Sequence, residues 1–354
     1  MTSPSPEISI ANATLRDRPD ELGNTAQARI HMPITLDEIK RGFAQPQAEY
    51  GPIDCWWWEA ARLDKEKMRW QLEELQDKGV AGTWYYPRYI GSEDLACRPR
   101  YWTEDWWDLT KFAIEEHERL GLAYWFSDWT AHEFVQDRLR AETEARPEFV
   151  GRRLAYHEEV ATGPGLLSLK ADEDEVVLDA AAFRAAGEGL DYTTRQDLTS
   201  KVSDGELRWT AEAAGSVVTM VCIQSFDLDY INPALTARWI EIMLGTYESR
   251  MGRHMGTTIK AFGTDEWRFM QGNVLYSSDL MQRFQREKGY DPCAQLVGLF
   301  RDIGPPTDKI RCEYYEVMCS EIAEKFYRPF AAWLEARNML FTEFCPRGKT
   351  EDLL

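Results

Sequence analysis

The sequence is poor in positive charge and in histidine, and both shortages narrow the range of functions. Its 354 residues include 41 Lys and Arg against 60 Asp and Glu, which gives a formal net charge of −19. Nucleic acids and anionic membranes bind through basic patches, so we expect neither as a partner. The five His also disfavour a metal-dependent barrel hydrolase. A neutral or cationic small ligand fits this charge better.

Long apolar runs and cysteine motifs are missing as well. No stretch reaches the ~18 uninterrupted apolar residues of a membrane-spanning helix, and the first 30 residues lack the apolar core of a signal peptide. These absences predict a cytoplasmic protein. The seven Cys are odd in number and contain no C-x-x-C pair, so reduced thiols are expected rather than a zinc knuckle or a disulfide framework.

Tryptophan, in contrast, is abundant, with 14 copies, several of them clustered. The clusters include Trp56-Trp57-Trp58, Trp106-Trp107, Trp125 and Trp129. Sugar faces stack on indole rings, so such clusters suit a carbohydrate site. The alternative is that these rings fill the core of a large barrel, because aromatic side chains dominate cores generally.

Apolar runs that end in polar residues alternate with amphipathic helices along the chain. Strands are predicted near 52–59, 80–88, 122–129, 226–229, 257–264 and 339–344, with helices near 64–78, 103–120, 233–251, 278–288 and 308–337. This order predicts a parallel α/β fold, with a (β/α)8-type (TIM) barrel, complete or incomplete, as the leading version.

The barrel pattern is interrupted, which predicts four segments. They are an N-terminal arm (1–45) with one short helix near 36–43, a first barrel part (46–148), an inserted antiparallel β domain (149–224) and a second barrel part (225–354). Strands of the insertion are expected at 154–160, 166–170, 175–178, 206–211 and 216–223. The acidic loop 172–175 within it indicates a solvated edge rather than a metal site.

The strand ends carry the candidate chemistry, because ligands of parallel α/β folds bind at the carboxyl ends of strands. Glycoside hydrolysis needs two carboxylates, and neighbouring residues of a strand point to opposite faces, so Asp265 and Glu266 do not form the pair together. We predict Glu266 and Glu343 as the catalytic carboxylates, with acid and base unassigned. A structural salt bridge is the alternative for Glu266.

Further strand-end residues are predicted to bind substrate. They are Trp58, Glu59, Tyr86, Arg88, Asp128, Trp129, Asp229, Asn232, Asp265 and Trp267. Arg88 suits a uronic-acid carboxylate, or it orients a neighbouring acid, since buried acids need a partner. No metal site is predicted, because His132-Glu133 lacks a second His four residues on.

Several motifs occur in an order that resembles glycoside hydrolase family 106, the α-L-rhamnosidases and their relatives. They are Trp56-Trp57-Trp58-Glu59, Gly79-Val80-Ala81-Gly82 leading to Pro87-Arg88, Leu198-Thr199 with Asp204 to Trp209, Asp229 to Pro233, Phe262 to Trp267, and Gly289-Tyr290-Asp291 with Arg311 to Tyr314. The resemblance implies a barrel that cleaves an O-glycosidic bond with two carboxylates, inverting, on a deoxy-sugar or uronic-acid glycoside. It implies no required cofactor, with calcium near the sugar in some members.

The sequence also departs from the family pattern. Glu59 stands where the family has Asn, Asp128-Trp129 where an Asp-Glu pair is common, and Trp267 where Pro follows Asp-Glu. Family members are longer, so the remaining strands are expected from a homo-oligomer, a partner chain or the arm, or the barrel is incomplete. The alternative function is a catalytically silent carbohydrate-binding or assembly subunit.

Overall fold

The chain divides into two units, residues 1–47 and 48–354. The computed structural model describes residues 35–46, 50–58, 62–87, 98–127, 129–265 and 273–344, apart from the side chains of 87, 129–133, 264–265 and 343–344. In the first unit, helix α1 (Leu36–Ala44) begins at a capping box, in which the Thr35 side chain accepts from the N–H of Glu38 and the Glu38 side chain accepts from the N–H of Thr35. The helix predicted in the arm is therefore confirmed.

The predicted helices of the second unit occur in the predicted order, together with an unpredicted one at Trp129–Glu142, and four of the eight described helices begin at a side-chain cap. Asp64, Thr103, Asn232 and Ser277 each accept a main-chain N–H in the first turn of their helix. The helices are α2 (Lys65–Asp77), α3 (Glu104–Leu120), α4 (Trp129–Glu142), α5 (Pro233–Ile240), α6 (Thr246–Met251), α7 (Ser278–Lys288), α8 (Pro306–Ile322) and α9 (Arg328–Glu335).

Two of the predicted long helices contain a π-helical turn. Glu241–Gly245 joins α5 to α6, and Ala323–Tyr327 joins α8 to α9. Short 3₁₀ turns lie at Pro147–Phe149, Thr199–Lys201, Gly252–His254 and Cys293–Leu299. The two π turns belong to helices that contact each other, because the Trp239 ring meets Phe326 edge-on at 5.8 Å. Both long helices are thus confirmed as continuous but locally widened.

A parallel sheet of five strands forms the centre of the second unit. Its order is β1-β2-β3-β10-β12, with β1 (Ile53–Trp58), β2 (Gly82–Pro87), β3 (Ala123–Ser127), β10 (Ile259–Asp265) and β12 (Leu340–Phe344). All four pairings between neighbours are parallel. Five of the predicted strands are therefore confirmed, and their carboxyl ends share one edge of the sheet.

One face of this sheet packs against helices. The indole Nε1 of Trp106 in α3 donates to the hydroxyl of Tyr85 in β2 at 2.9 Å, and Phe126 in β3 stacks on Tyr247 in α6 at 4.1 Å. Phe262 in β10 stacks on Phe330 in α9 at 6.0 Å. This helix-covered face supplies much of the main hydrophobic core.

An antiparallel sheet forms the second half of the unit. Its order is β11-β4-β9-β6-β7, with β4 (Val150–Val160), β6 (Glu175–Ala186), β7 (Gly189–Asp197), β9 (Ser216–Leu228) and β11 (Val274–Tyr276). The paired strands β5 (Gly165–Lys170) and β8 (Glu206–Ala211) form a separate two-stranded sheet. Leu169 and Leu207 of this small sheet pack with Met220 and Cys222 of β9 in a second core.

The antiparallel insertion is confirmed, with two differences from expectation. Strand β7 was not predicted, and Phe226, Asp227 and Leu228 end β9 instead of forming a separate barrel strand. The long antiparallel pairing of β9 with β4 takes these residues into the second sheet, and β11 joins it from beyond residue 225. The domain boundaries themselves stay a prediction.

The described residues thus give a mixed α/β fold with one parallel sheet, one five-stranded antiparallel sheet and one two-stranded antiparallel sheet. The complete eight-stranded barrel stays a prediction, since the part of the chain described here contains five parallel strands. No described helix combines the length and the apolar character needed to cross a membrane.

Candidate functional site

Several of the predicted site residues follow strands of the parallel sheet in the sequence. Glu59, Arg88, Asp128 and Glu266 each follow directly, in sequence, the last residue of a strand of this sheet. These four residues and Trp267 lie outside the described residues. The described strands that precede them all end at the same edge of the sheet, which is where ligands of parallel α/β folds bind.

The described strands nearest in sequence to the predicted catalytic pair are β10 and β12. Their register places Glu343 beside Thr264, and Phe344 beside Asp265. Neighbouring strands lie about 4.8 Å apart, so the backbone at Glu343 is one strand spacing from the backbone that leads into Glu266. The side chains of Glu343, Asp265 and Trp129 are outside the description, and the catalytic assignment stays a prediction.

The face of the parallel sheet opposite the helix-covered face carries four aromatic rings, Trp57, Trp84, Tyr86 and Trp125, which we call the aromatic face. Trp57 stacks on Tyr86 with ring centres 4.9 Å apart and planes at 21°. Trp84 meets Tyr86 at 5.0 Å and Trp125 at 6.2 Å. The rings form a continuous row across β1, β2 and β3.

Solvent reaches the aromatic face at both of its ends. Trp57 in β1 is 45% exposed, and Leu340 in β12, whose register places it on the same face, is 61% exposed. Between them, Trp84 and Tyr86 are buried. A large ring that stacks on a second ring and is half exposed is the surface that a sugar face can cover.

Gly263 in β10 allows this arrangement. A Cβ atom at this position would meet Cζ2 of Trp84 at 2.3 Å, so any larger residue would displace the indole. The ring of Trp84 therefore crosses β3 and lies directly on the backbone of β10. Glycine in a strand interior often marks such a close approach.

The structure separates the predicted substrate-binding residues into two groups. Tyr86 belongs to the aromatic face, whereas Trp58 lies on the helix-covered face, is 1% exposed and contacts Tyr85 and Trp106. Adjacent strand residues point to opposite faces, so Trp57, not Trp58, shares the face of Tyr86. We therefore leave Trp58 out of the proposed site.

Asn232 and Asp229 lie in the turn after β9, at the end of a strand of the antiparallel sheet. The Asn232 side chain caps α5 by accepting from the N–H of Ala234 at 2.9 Å, and its amide donates to the carbonyl of Glu148. Its observed contacts are thus those of a helix cap.

Asp229 has a perturbed acidity in the same turn. Burial raises the pKa of its carboxyl to about 6, although the N–H of Ile231 and the charges of Lys325 and Arg152 oppose the shift. A carboxyl that keeps its proton to this pH can act as a proton donor near neutrality.

Three rings of the aromatic face, Trp57, Trp84 and Trp125, were not among the predicted site residues. The sequence contained a signal for them: Trp84 and Tyr86 are two residues apart, and period-two spacing puts them on one face. What the sequence could not supply was the register that pairs Trp57 with Tyr86 and the contact of Trp84 with Gly263.

No protein-family model and no curated protein matches the sequence. Among solved structures, the chain is similar to the structure of a rhamnosidase from Novosphingobium sp. PP1Y, with a TM-score of 0.55 and 13% identity. The match covers 86% of this chain and 47% of the rhamnosidase, so the chain spans about half the length of that protein. At this identity the similarity establishes a shared fold.

Proposed function

We propose that the protein is a glycoside hydrolase whose sugar site is the carboxyl edge of the parallel sheet together with the aromatic face. The observation that carries the proposal is the row of aromatic rings beside that edge, ending in the half-exposed ring of Trp57. Indole and phenol rings offer flat apolar surfaces that match the C–H face of a pyranose. The fold shared with a rhamnosidase is in accord with this substrate class.

In this proposal Glu266 and Glu343 are the two catalytic carboxylates. Glu343 belongs to β12 and Glu266 follows β10 in the sequence, and the pairing of these two strands supports the assignment of both acids to one bond. One protonates the leaving oxygen, and the other activates water on the opposite face of the sugar, as inversion requires. The separation that suits inversion is about 6.5–9.5 Å, against about 5–5.5 Å for retention.

The finer substrate assignment rests on strand-end side chains. Arg88 suits the carboxylate of a uronic acid, while the aromatic face suits the methyl group of a deoxy sugar such as rhamnose. Asp128, Glu59, Asp265, Trp129 and Trp267 are the proposed partners of the sugar hydroxyls and ring. A calcium ion, if the reaction uses one, would be held by carboxylates of this edge, since calcium takes oxygen ligands.

Turnover of aryl glycosides tests the catalytic assignment. We expect hydrolysis of an α-L-rhamnoside or a uronide by the wild type, and a loss of about 10²–10⁴ in kcat for Glu266→Gln and for Glu343→Gln. Glu335→Gln changes an exposed glutamate of α9 and should keep full activity. Wild-type turnover by Glu266→Gln on a substrate that the protein hydrolyses would overturn the assignment.

A sugar-binding protein without turnover would use the same aromatic face. Calorimetric titration with the free sugars separates the two functions, because both predict binding that Trp57→Ala weakens, about tenfold, and only the hydrolase predicts product. Binding without any product across the panel would assign the silent alternative, and absence of both would reject a carbohydrate function.

A further inference from the structure

Three potential metal ligands meet on the antiparallel sheet, away from the parallel strands. His157 of β4, Glu175 of β6 and Cys222 of β9 come from three adjacent strands, with β9 in the middle. Their ligand atoms all lie within 4.8 Å of one another, and Nε2 of His157 is 2.6 Å from Oε2 of Glu175. The imidazole, carboxylate and thiol therefore face one point.

The strand pairing places these three side chains on one face of the sheet. Cys222 is paired with Ala155 on β4 and with Val177 on β6. His157 and Glu175 are each two residues from those partners, so period-two alternation places all three side chains on one face. Two long antiparallel pairings hold the backbone of the three strands, and Glu175 lies where β6 begins after the loop 172–175.

The surroundings of the cluster are apolar, with one opening. Cys222 is fully buried, and the side chain of Glu175 is 1% exposed, whereas that of His157 is 24% exposed. The loop 172–175 was expected to be a solvated edge, and Glu175 departs from that expectation by turning inward. Its carboxylate also accepts the N–H of Asp172 at 2.9 Å.

Without a cation, the surroundings of Cys222 favour its neutral thiol over the thiolate. Burial, followed by the charges of Glu175 and Asp172, raises the pKa of the Cys222 thiol to about 12. A divalent ion would reverse the effect, since it stabilises thiolate and carboxylate together. The cluster thus places a buried carboxylate and a buried thiol within reach of one ion.

We propose that His157, Glu175 and Cys222 form a binding site for one divalent transition-metal ion, most closely suited to zinc. Nitrogen, oxygen and sulfur ligands together are those that zinc accepts, whereas magnesium and calcium take oxygen ligands. Zinc–ligand bonds are about 2.0–2.3 Å long, so ligand atoms of a tetrahedral site lie roughly 3–4 Å apart, within the spread seen here.

Metal binding would exchange hydrogen bonds for metal bonds and would release a proton. The thiol of Cys222 gives its proton to solvent as the thiolate binds the ion. The neutral His157 ring exchanges its Nε2 proton with solvent and takes the tautomer protonated at Nδ1, so that Nε2 and a Glu175 oxygen can exchange their mutual hydrogen bond for metal bonds. The fourth position is left for water or for the Asp172 carboxylate. The ion would link the three middle strands of the antiparallel sheet and is independent of the proposed glycosidase site.

Cobalt titration of the reduced, chelator-treated full chain tests the proposal, because a thiolate bound to Co²⁺ gives a charge-transfer band in the near ultraviolet. We expect the band with one equivalent of Co²⁺, its loss on adding Zn²⁺, and its absence in Cys222→Ser. Cys312→Ser, which changes an exposed cysteine of α8, is the matched control and should keep the band. A band that persists in Cys222→Ser, or no band in the wild type, overturns the site.

Thermal unfolding gives a second readout that does not depend on the thiol. Zn²⁺ should raise the Tm of the wild type and of Cys312→Ser, because a ligand that binds the native state stabilises it. His157→Gln, which changes the most exposed of the three ligands, should fold normally by circular dichroism and bind Zn²⁺ at least about 100-fold more weakly. An equal rise in Tm for His157→Gln and the wild type would contradict the proposal.

Discussion

The parallel and the antiparallel sheet place polar chemistry in different positions. In the parallel sheet, large rings occupy both faces, and several of the predicted polar site residues follow the carboxyl ends of strands in the sequence. In the antiparallel sheet, ionisable side chains belong to the strands themselves. Asp179 of β6 pairs with Arg195 of the neighbouring β7, and His157 of β4 pairs with Glu175 of β6 across the intervening β9. The site proposed for the parallel sheet depends on residues at strand ends, and the site proposed for the antiparallel sheet depends on residues within strands.

This difference has a consequence for mutation. A site at strand ends can be changed without disturbing the sheet that supports it, since its residues are at the border of the core. Polar groups within strands are part of the packing, so their removal affects folding and any binding together. The four predictions below test this contrast.

The largest difference in the free energy of unfolding is expected between substitutions on the two faces of the parallel sheet. Trp58→Ala removes a fully buried indole and should lower the free energy of unfolding by about 3–5 kcal/mol. Trp57→Ala, one residue earlier on the aromatic face, should cost less than about 1.5 kcal/mol, because this ring is half exposed. Urea unfolding measures the free energy of unfolding of the two variants. Equal losses would contradict the expectation that the more deeply buried ring contributes more.

The second largest effect on the free energy of unfolding is expected at the buried ion pair of the antiparallel sheet. Nη2 of Arg195 lies 2.5 Å from Oδ1 of Asp179, and burial raises the pKa of Asp179 to about 6. Arg195→Met leaves the carboxylate unpaired and should cost about 3 kcal/mol at pH 8, where Asp179 is ionised. At pH 5 the carboxyl is protonated, and the loss should be smaller.

Arg208→Met is the matched control for this ion pair. Arg208 pairs with Glu206 at the surface, and surface pairs contribute about 0–1 kcal/mol. We expect little change at either pH in urea unfolding. A loss for Arg195→Met that does not depend on pH would indicate that packing of the side chain, rather than charge, stabilises this region.

The contact of Trp84 with Gly263 should have an intermediate effect. Gly263→Ala places a Cβ 2.3 Å from Cζ2 of Trp84 and should cost about 1–3 kcal/mol through overpacking. It should also weaken sugar binding, since the displaced indole disturbs the aromatic face. Gly165→Ala has no atom within 4 Å of the new Cβ and should be neutral within about 0.5 kcal/mol.

Much of the parallel sheet could be predicted because each strand is an apolar run bounded by helices with clear caps. The face on which each ring lies could not be predicted, because every position of Trp56-Trp57-Trp58 is aromatic and the sequence therefore shows no period-two alternation. Strand β7 was missed because Asp191, Thr193, Thr194, Arg195 and Gln196 make its sequence polar. The antiparallel pairing with β6 makes this polar segment a strand, and that pairing cannot be read from the sequence.

Long-range register was the other barrier to prediction. His157 and Cys222 are 65 residues apart in sequence and meet only because β4 and β9 pair over eleven residues of β4. A shift of one residue would turn one of them to the other face. The acidic loop 172–175 gave no sign that Glu175 alone turns inward, because all its neighbours in the loop are exposed.

The smallest predicted effect concerns Asp229, at the end of the antiparallel sheet. Burial raises the pKa of this carboxyl from 3.8 to about 6, so the native state binds a proton that the unfolded state has already lost above pH 4. The stability that it contributes is therefore present below about pH 4 and is lost as pH rises through 6. Because the residue is partly exposed, we expect only about 1 kcal/mol over this range. Asp229→Asn should flatten the profile of unfolding free energy between pH 4 and 7, and an unchanged slope in this variant would show that other carboxyls, Asp179 among them, set the pH dependence.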